Sequence, residues 1–225
     1  MERGASASGL NRRGAAQLVI SSSLSFVAFA LLAMAAHARP YFSWDVWLAR
    51  WIQKVGGLGL PMRMISAPGY GLRAVALTSF TALALWLTRY KWEAVFLPLS
   101  TGIGALLDEL AKALVARPRP GTALVRVSHH LSDPSFPSGH VVFYCSYFGF
   151  LFGLAYLGRK RTPRSSRLAM ILAVIPIVLV GISRVYLGAH WPSDVLGSYL
   201  LSAAWLPLLF FAYRRAKERW PPRAV

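Results

Sequence analysis

The sequence predicts an all-α, polytopic membrane protein with six transmembrane helices in one bundle. Of its 225 residues, 56% are hydrophobic and only 15% are charged, whereas a soluble domain carries about a quarter charged residues. The 25 Lys and Arg residues far outnumber the 8 Asp and Glu residues, and long apolar runs separate the basic clusters. This composition excludes an ordinary soluble enzyme and a disordered chain. It also argues against a nucleic-acid partner, because such a protein needs one soluble basic face.

Six apolar runs approach the roughly 20 residues that a spanning helix needs. They cover residues 18–36, 71–87, 94–116, 141–157, 168–185 and 195–213. We interpret the first run as a retained helix, because no convincing small-residue cleavage site precedes a polar mature domain. The runs leave no room for a separate soluble domain, so residues 1–225 are predicted to form a single membrane-embedded domain.

Basic residues predict the orientation of the chain. Six spans place the N-terminal tail, the turn around residues 89–91, the loop 159–167 and the C-terminal tail on one face, and this face holds 15 of the 25 Lys and Arg residues. By the positive-inside rule this face is cytoplasmic. Both termini are then cytoplasmic, and the segments 37–70, 117–140 and 184–194 lie on the outer face of an inner membrane.

In the first outer segment, Trp44, Trp47 and Trp51 recur at helical spacing among Val46, Leu48 and Ile52. Tryptophan is favoured in the headgroup zone. The pattern predicts a short interfacial helix that either anchors the chain or guides a lipid substrate.

The second outer segment begins with a pair of cations. Lys112 falls at the end of the third run, and Pro118 and Pro120 force the chain around Arg119 into an extended form. A lysine point charge beside the planar arginine fork suits a phosphate dianion. Contact with lipid headgroups is the alternative for this segment taken alone.

The same segment ends in Pro137-Ser138-Gly139-His140, which opens the fourth run. Ser138 is a candidate N-cap, and the backbone N–H groups of a helix start bind anions. Gly139 would let a ligand approach the backbone closely, and His140 would stand at the mouth of the site. A capped helix without a ligand is the alternative.

The third outer segment carries Arg184, His190 and Asp194, with Pro192 in a position suited to a first helical turn. A carboxylate near an imidazole can select its tautomer and support a positive charge on it. Arg184 adds another phosphate-binding fork. All three groups of polar residues fall on the same predicted face.

Together these residues resemble the type 2 phosphatidic acid phosphatase superfamily. The matching pattern is Lys112-x6-Arg119-Pro120, then Pro137-Ser138-Gly139-His140, then Ser183-Arg184-x5-His190-x3-Asp194. The core motifs span residues 112–194. The resemblance is to the integral membrane lipid phosphatase branch, which includes bacterial phosphatidylglycerophosphate and undecaprenyl diphosphate phosphatases.

The resemblance implies a role for each motif residue. His190 would attack phosphorus and form a phosphohistidine, Asp194 would orient it, and His140 would protonate the leaving oxygen. Lys112, Arg119, Arg184, Ser138 and the Gly139 N–H would hold the phosphoryl oxygens. Fixed cations can stabilise the transferring group, so no metal and no cofactor are expected.

The substrate is expected to be a lipid phosphate or diphosphate, with phosphatidylglycerophosphate, a polyprenyl diphosphate, phosphatidate and a lipid A phosphate all open. A phosphotransferase using the same phosphohistidine is the alternative enzyme, and a non-enzymatic lipid transporter is the alternative of another class.

Several nearby residues fit no motif position. Asp108 and Glu109 are expected to pair with Lys112, with contact to the substrate as the alternative. His129 and His130 are expected to be solvated, with contact to a headgroup as the alternative. Arg117 and Arg126 are candidates for binding a second phosphate or a headgroup. Cys145 lies in an apolar run and predicts a packed thiol.

Overall fold

The protein is a bundle of α-helices, seen in a computed structural model that describes residues 12–128 and 131–220. Within these ranges the helices are α1 (Arg12–Ala38), α2 (Ser43–Ile52), α3 (Gly59–Ser66), α4 (Gly71–Leu87), α5 (Lys91–Val115), α6 (Gly139–Gly158), α7 (Pro163–Tyr186) and α8 (Pro192–Arg219). A short 3₁₀ turn, Ala67–Gly69, joins α3 to α4. The predicted all-α membrane class is confirmed.

Five helices are long and apolar enough to cross a bilayer: α1, α5, α6, α7 and α8. The second predicted run is α4, whose 17 residues extend about 25 Å, somewhat less than the hydrocarbon core of about 30 Å. Together with Gly59–Gly69 it forms a pair bent by 60°, which brings the number of spans to six when the pair is counted as one span. Five of the six predicted spans are therefore found as single long helices, and the remaining run, residues 71–87, belongs to the bent pair.

Apart from α4, the observed spans are longer than the apolar runs that predicted them. Helix α8 continues to Arg219, six residues past the predicted end at residue 213, and Lys217 and Arg219 lie in its last turn. Cations at a helix C-terminus interact favourably with the helix dipole, so these basic ends remain helical although they are not apolar.

Helix α6 lies at the centre of the bundle, where it packs against α5, α7 and α8. Its buried side chains Val141 and Tyr144 contact Val180 of α7 and Val195 of α8 in one apolar cluster. Cys145 is a buried free thiol in the same cluster, as predicted. Helix α1 packs mainly on α8, and α4 packs on α5.

The predicted Trp-rich interfacial helix is α2. Trp47 and Trp51 face outward and are 67% and 58% exposed, whereas Asp45 and Ala49 are buried on the opposite face. This inward face contacts α7 and α8. Helix α2 is thus both an aromatic surface and a part of the protein interior.

All the motif segments meet at one end of the bundle. His37 at the end of α1 bonds the carbonyl of Val115 at the end of α5, and Arg119 bonds the carbonyl of Ala189 between α7 and α8. At the opposite end, Lys217 pairs with Glu93. The alternating helix directions that the six-span topology requires are therefore present.

Candidate active site

A cavity of about 620 Å³ opens at the motif end of the bundle. Six of the eight predicted site residues line it: Lys112, Arg119, Gly139, His140, Arg184 and His190. The other two, Asp194 and Ser138, are buried and do not line the cavity. Residues far apart in sequence thus converge on a single site.

The cavity continues from its polar end into a groove between α4 and α5. Small and apolar residues line this part, among them Ala74, Val75, Gly102 and Ala105. Side chains of this size leave room for a flexible hydrocarbon chain between the two helices. One space therefore joins a cluster of cations to an apolar groove.

His190 lies in the short connection between α7 and α8. Its Nδ1 is 2.8 Å from the carbonyl oxygen of Ser135. A carbonyl can only accept a hydrogen bond, so this contact requires the proton on Nδ1 and leaves a lone pair on Nε2. Arg119 Nη1 lies 3.1 Å from that Nε2. The backbone thus selects the tautomer in which Nε2 is unprotonated.

Burial of the imidazole lowers the pKa of His190 well below its usual value of 6.5. The nearby charges of Arg119, Arg184 and Lys112 lower this pKa further, while the hydrogen bond to Ser135 opposes them. His190 is therefore neutral at neutral pH, which is the form that a nucleophile needs.

Asp194 contacts His190 mainly through Ser135. Its Oδ2 is 3.7 Å from His190 Nδ1 and accepts hydrogen bonds from the Ser135 hydroxyl and from the Trp191 N–H. Ser135 supplies the direct contact to the imidazole. Ser135 thus lies between Asp194 and His190, in a contact that no sequence motif had indicated. The orienting role of Asp194 stays a prediction. Asp194 also caps the start of α8, because its Oδ2 accepts the hydrogen bond of the Trp191 N–H.

Lys112 is held by carboxylates on its own helix. Its Nζ lies 2.7 Å from Asp108 and 3.1 Å from Glu109, so the predicted ion pair is present. Gly139 packs against this pair, because a Cβ atom there would lie 2.7 Å from Asp108 Oδ2 and 3.4 Å from Lys112 Nζ. The absence of a side chain at Gly139 allows α6 to begin directly beside the lysine.

Arg119 and Lys112 lie on either side of the Asp133 carboxylate. Arg119 Nη2 is 2.7 Å from Asp133 Oδ2, and Lys112 Nζ is 3.7 Å from the same oxygen. Burial raises the pKa of Asp133, but the hydrogen bond from Arg119 and the two cationic charges outweigh it and hold the pKa below its usual value. Two of the three cations predicted to bind phosphate, Lys112 and Arg119, therefore share a carboxylate in this structure.

Arg184 completes the cationic wall from the end of α7. Its Nη1 lies 3.2 Å from the hydroxyl of Tyr70 and 3.4 Å from that of Ser66. Tyr70 also packs edge-on against the ring of His140, with 4.5 Å between the ring centroids. Tyr70 therefore positions residues from two of the three motifs, although no motif contains it.

His140 occupies the first turn of α6 and lines the cavity. Among the described residues, no group hydrogen-bonds to its Nε2. Ser138 occupies the N-cap position of α6, but its side chain makes no capping hydrogen bond, so the predicted cap is wrong in this respect. Its N–H bonds Ser198 instead, and the buried hydroxyl does not line the cavity.

The remaining cations have different surroundings from those expected. Arg117 is fully buried between Asp45 and Asp194, so the prediction that it binds a headgroup or a second phosphate is wrong. Arg126 packs over the ring of Tyr186 and does not line the cavity. His129 and His130 lie outside the described residues.

Sequence reasoning missed Asp45, Asp133 and Ser135. Asp133 and Ser135 lie in the loop between two recognised motifs, where polar residues are common. Asp45 offered a usable signal, because it is the single acidic residue of the Trp-rich helix and lies four positions before the small residue Ala49. On this helix the tryptophans lie on one face, and Asp45 and Ala49 lie on the other. The face with the acid and the small residue is the one to expect in the protein interior when the tryptophans face the headgroup zone.

Comparison with known proteins places these observations in a family. A family model described as the PAP2 superfamily matches residues 93–218. The chain is 30% identical over 205 residues to phosphatidylglycerophosphatase B of Bacillus subtilis, an alignment that covers 86% of this chain and 93% of that protein. It is 34% identical over 133 residues to an undecaprenyl-diphosphatase of Sulfolobus acidocaldarius, covering 57% and 59% of the two chains.

A solved structure shows the same architecture. It is the crystal structure of a transmembrane PAP2-type phosphatidylglycerolphosphate phosphatase from Bacillus subtilis. The TM-score is 0.73 at 29% sequence identity, and the match covers 90% of this chain and 99% of that one. The similarity therefore includes nearly the whole helical bundle as well as the motif segments.

Proposed function

The chain belongs to the PAP2 superfamily and is a membrane phosphatase, and we propose that it hydrolyses the phosphate of a lipid through a phosphohistidine at His190. The observation that carries this proposal is the state of His190, whose Nδ1–H is held by a carbonyl while Nε2 faces a cationic cavity. We further propose that residues 1–225 act as one membrane-embedded domain.

The groove between α4 and α5 supports a lipid as the substrate. A water-soluble phosphate ester would need only the polar end of the cavity. The cavity lining continues along α5 from Glu109 to Pro98, which corresponds to about 16 Å of helix. Beyond Asp108 and Glu109, toward Pro98, the α5 side of this lining carries no charged residue. A hydrocarbon chain in this groove would hold the phosphate among Lys112, Arg119 and Arg184.

The first chemical step forms the phosphoenzyme. Nε2 of His190 attacks phosphorus, the bond from phosphorus to the ester oxygen breaks, and His140 gives its proton to the leaving oxygen. The guanidinium groups of Arg119 and Arg184 and the ammonium group of Lys112 stabilise the charge on the phosphoryl oxygens. Asp194, 3.7 Å from Nδ1, stabilises the positive charge that develops on the imidazole.

The second step returns the enzyme to its starting state. Water attacks the phosphohistidine, His140 accepts a proton from that water, and the bond from phosphorus to Nε2 breaks as inorganic phosphate leaves. Side-chain cations neutralise the phosphoryl charge in both steps, and we propose that the reaction requires no metal.

Among lipid phosphates, we propose a phospholipid phosphomonoester of the phosphatidylglycerophosphate type as the preferred substrate. The side-chain cations Lys112, Arg119 and Arg184 around the cavity suit the binding of a phosphate dianion. A relative that aligns over 86% of this chain is named for this activity. A polyprenyl diphosphate is the competing substrate.

We also propose that the motif end of the bundle faces the outside of the inner membrane and that both termini are cytoplasmic. The basic residues at the opposite end support this orientation. They include Arg159, Lys160, Arg161, Arg164 and Arg167 between α6 and α7.

The test measures phosphate release by the purified protein in detergent, with phosphatidylglycerophosphate, phosphatidate, a polyprenyl diphosphate and lipid A as substrates. We expect hydrolysis in the presence of a chelator and a trapped, acid-labile phosphoenzyme. His190→Ala should abolish both signals, because it removes the attacking nitrogen. Full activity of His190→Ala, or transfer of the phosphate to a lipid instead of water, would refute hydrolysis through His190.

A further inference from the structure

Helix α2 sends one acidic side chain into the protein interior. Asp45 is fully buried and lies in the first turn of the helix. It bonds the N–H of Phe42, which caps its own helix. Its other partners lie far away in sequence, on the segments that carry the motifs. A buried carboxylate is costly unless charged or polar partners compensate for its lost hydration, so these partners explain why it can be buried.

The first of these partners is Arg117. Its Nη2 lies 2.9 Å from Asp45 Oδ2, and its Nη1 lies 2.6 Å from Asp194 Oδ1. All three side chains are fully buried. One guanidinium group thus joins two carboxylates, and its orientation toward Asp194 depends on the bond that Asp45 accepts on its other side.

The second partner is Ser193, in the first turn of α8. Its N–H lies 2.8 Å from Asp45 Oδ1, and its hydroxyl lies 2.8 Å from Asp45 Oδ2. The same hydroxyl is 2.6 Å from Arg117 Nη1. Asp45 therefore fixes the first turn of α8, which carries Asp194 and directly follows His190.

A continuous set of contacts then leads to the nucleophile. Asp194 accepts the hydroxyl of Ser135, and the carbonyl of Ser135 accepts the Nδ1–H of His190. Each contact restricts the next one, since every group in the set is buried and hydrogen-bonded. Asp45 lies at the end of the set opposite to His190 and outside the cavity lining.

We propose that Asp45 is a positioning residue for phosphoryl transfer, acting through Arg117 and Ser193 on Asp194 and thereby on His190. This inference rests on the proposed function of His190 and extends it to α2, a helix that contains no motif residue. Phosphoryl transfer requires Nε2 of His190 to approach phosphorus in line with the bond that breaks. A misplacement of this atom by about 1 Å can lower the rate about 100-fold.

The first experiment compares Asp45→Asn with the wild-type protein in the lipid phosphatase assay. Asparagine keeps the shape but loses the charge that orients Arg117. We expect kcat to fall about 10- to 100-fold, with KM within about threefold of the wild-type value because Asp45 does not touch the substrate cavity. Asp45→Glu, which restores the charge, should recover part of the lost kcat.

Glu93→Gln is the matched control. Glu93 is another buried carboxylate in an ion pair, with Lys217, and it lies at the opposite end of the bundle. Glu93→Gln should lower the thermal stability of the protein without lowering kcat. A general loss of packing would lower kcat in both variants, whereas a positioning role of Asp45 lowers kcat only in Asp45→Asn.

A double-mutant cycle tests the route of the effect. If Asp45 acts through Arg117, then Asp45→Asn combined with Arg117→Gln should lose little more kcat than Arg117→Gln alone. Independent, multiplicative losses would contradict this route. If Asp45→Asn does not fold, Ser193→Ala tests the positioning role in its place. This variant removes the hydrogen bonds of the Ser193 hydroxyl with Asp45 and Arg117 but removes no charge. We expect it to lower kcat about 3- to 10-fold.

The two proposals fail in different ways. A wild-type protein that hydrolyses no lipid phosphate refutes the proposed function. The inference on Asp45 is refuted when the wild-type protein is active and a folded Asp45→Asn keeps kcat within about twofold. An unchanged kcat in Ser193→Ala, if that is the variant that folds, refutes it equally.

Discussion

At the scale of single residues, Asp133 has the clearest effect on the cationic wall. Its carboxylate is half exposed and contacts Arg119 and Lys112, the same cations that would hold a phosphate. It therefore competes with an incoming phosphoryl group for their charge. Arg119 keeps its position without that carboxylate, because its Nε also bonds the Asp133 carbonyl oxygen and its Nη1 bonds the Ala189 carbonyl.

We predict that Asp133→Asn lowers KM for the lipid phosphate about 3- to 10-fold, because it removes one opposing charge from two cations. Steady-state kinetics over a range of substrate concentrations measures the change. Glu218→Gln is the control, since this exposed acid lies near the other end of the bundle. A higher KM in Asp133→Asn would show that the carboxylate assists binding instead.

A second prediction at this scale concerns pH. Because the pKa of His190 is lowered, its neutral form persists as the pH falls below 6.5. Acid inactivation begins only when His190 becomes protonated. We therefore predict that the acid limb of kcat/KM lies below pH 6.5, within the bell-shaped profile expected for a nucleophile and an acid.

Burial of the imidazole is the largest cause of the lowered pKa of His190, and the charges of Arg119, Arg184 and Lys112 lower this pKa further. The Asp194 carboxylate, 3.7 Å from Nδ1, acts in the opposite direction. Arg167→Gln removes an exposed cation from the far end of α7 and should leave the limb unchanged. An acid limb at or above pH 6.5 in the wild-type protein would contradict the prediction.

At the scale of elements, the connection between α7 and α8 depends on Gly188. Its φ is +66°, and a Cβ atom there would lie 2.0 Å from the carbonyl oxygen of Arg126. Glycine adopts this left-handed conformation without the penalty that other residues incur. The turn allows the loop 121–128 to lie against the backbone two residues before His190.

Gly188→Ala should therefore destabilise the protein by about 2 kcal/mol or more and reduce phosphatase activity with it. Thermal unfolding in detergent measures the first effect. Gly121→Ala serves as the control, because an added Cβ there meets no atom within 4 Å. Equal thermal stability of the two variants would rule out this account of the turn.

The elements also show what a sequence can predict in a membrane protein. Apolar runs predicted α4 with its observed ends and the ends of the other spans to within six residues, because hydrocarbon requires long apolar helices. The motifs located His140, His190 and Arg184. Partners such as Asp45 and Ser135 were missed because burial, which gives them their importance, depends on how distant segments pack. Arg117 was misjudged for the same reason.

At the scale of the whole molecule, the two ends of the bundle differ in charge and in chemistry. One end carries the cavity, and the other carries basic loops and the pair Lys217–Glu93. We predict that Thr122→Cys reacts with a membrane-impermeant maleimide in intact cells, whereas Ser165→Cys reacts only after permeabilisation. Both positions are exposed.

The native Cys145 is buried and should contribute little background to this labelling, which the wild-type protein measures directly. The reverse pattern, with Ser165→Cys labelled in intact cells, would place the cavity on the cytoplasmic side and overturn the proposed orientation.

The groove between α4 and α5 also has a kinetic consequence. A lipid that keeps its chain in such a groove does not need to leave the bilayer, so encounter takes place by diffusion in two dimensions. The rate should then follow the mole fraction of substrate in the surface and fall when neutral detergent dilutes that surface at constant bulk concentration. The dephosphorylated lipid remains in the same plane as the substrate, whereas inorganic phosphate departs into water.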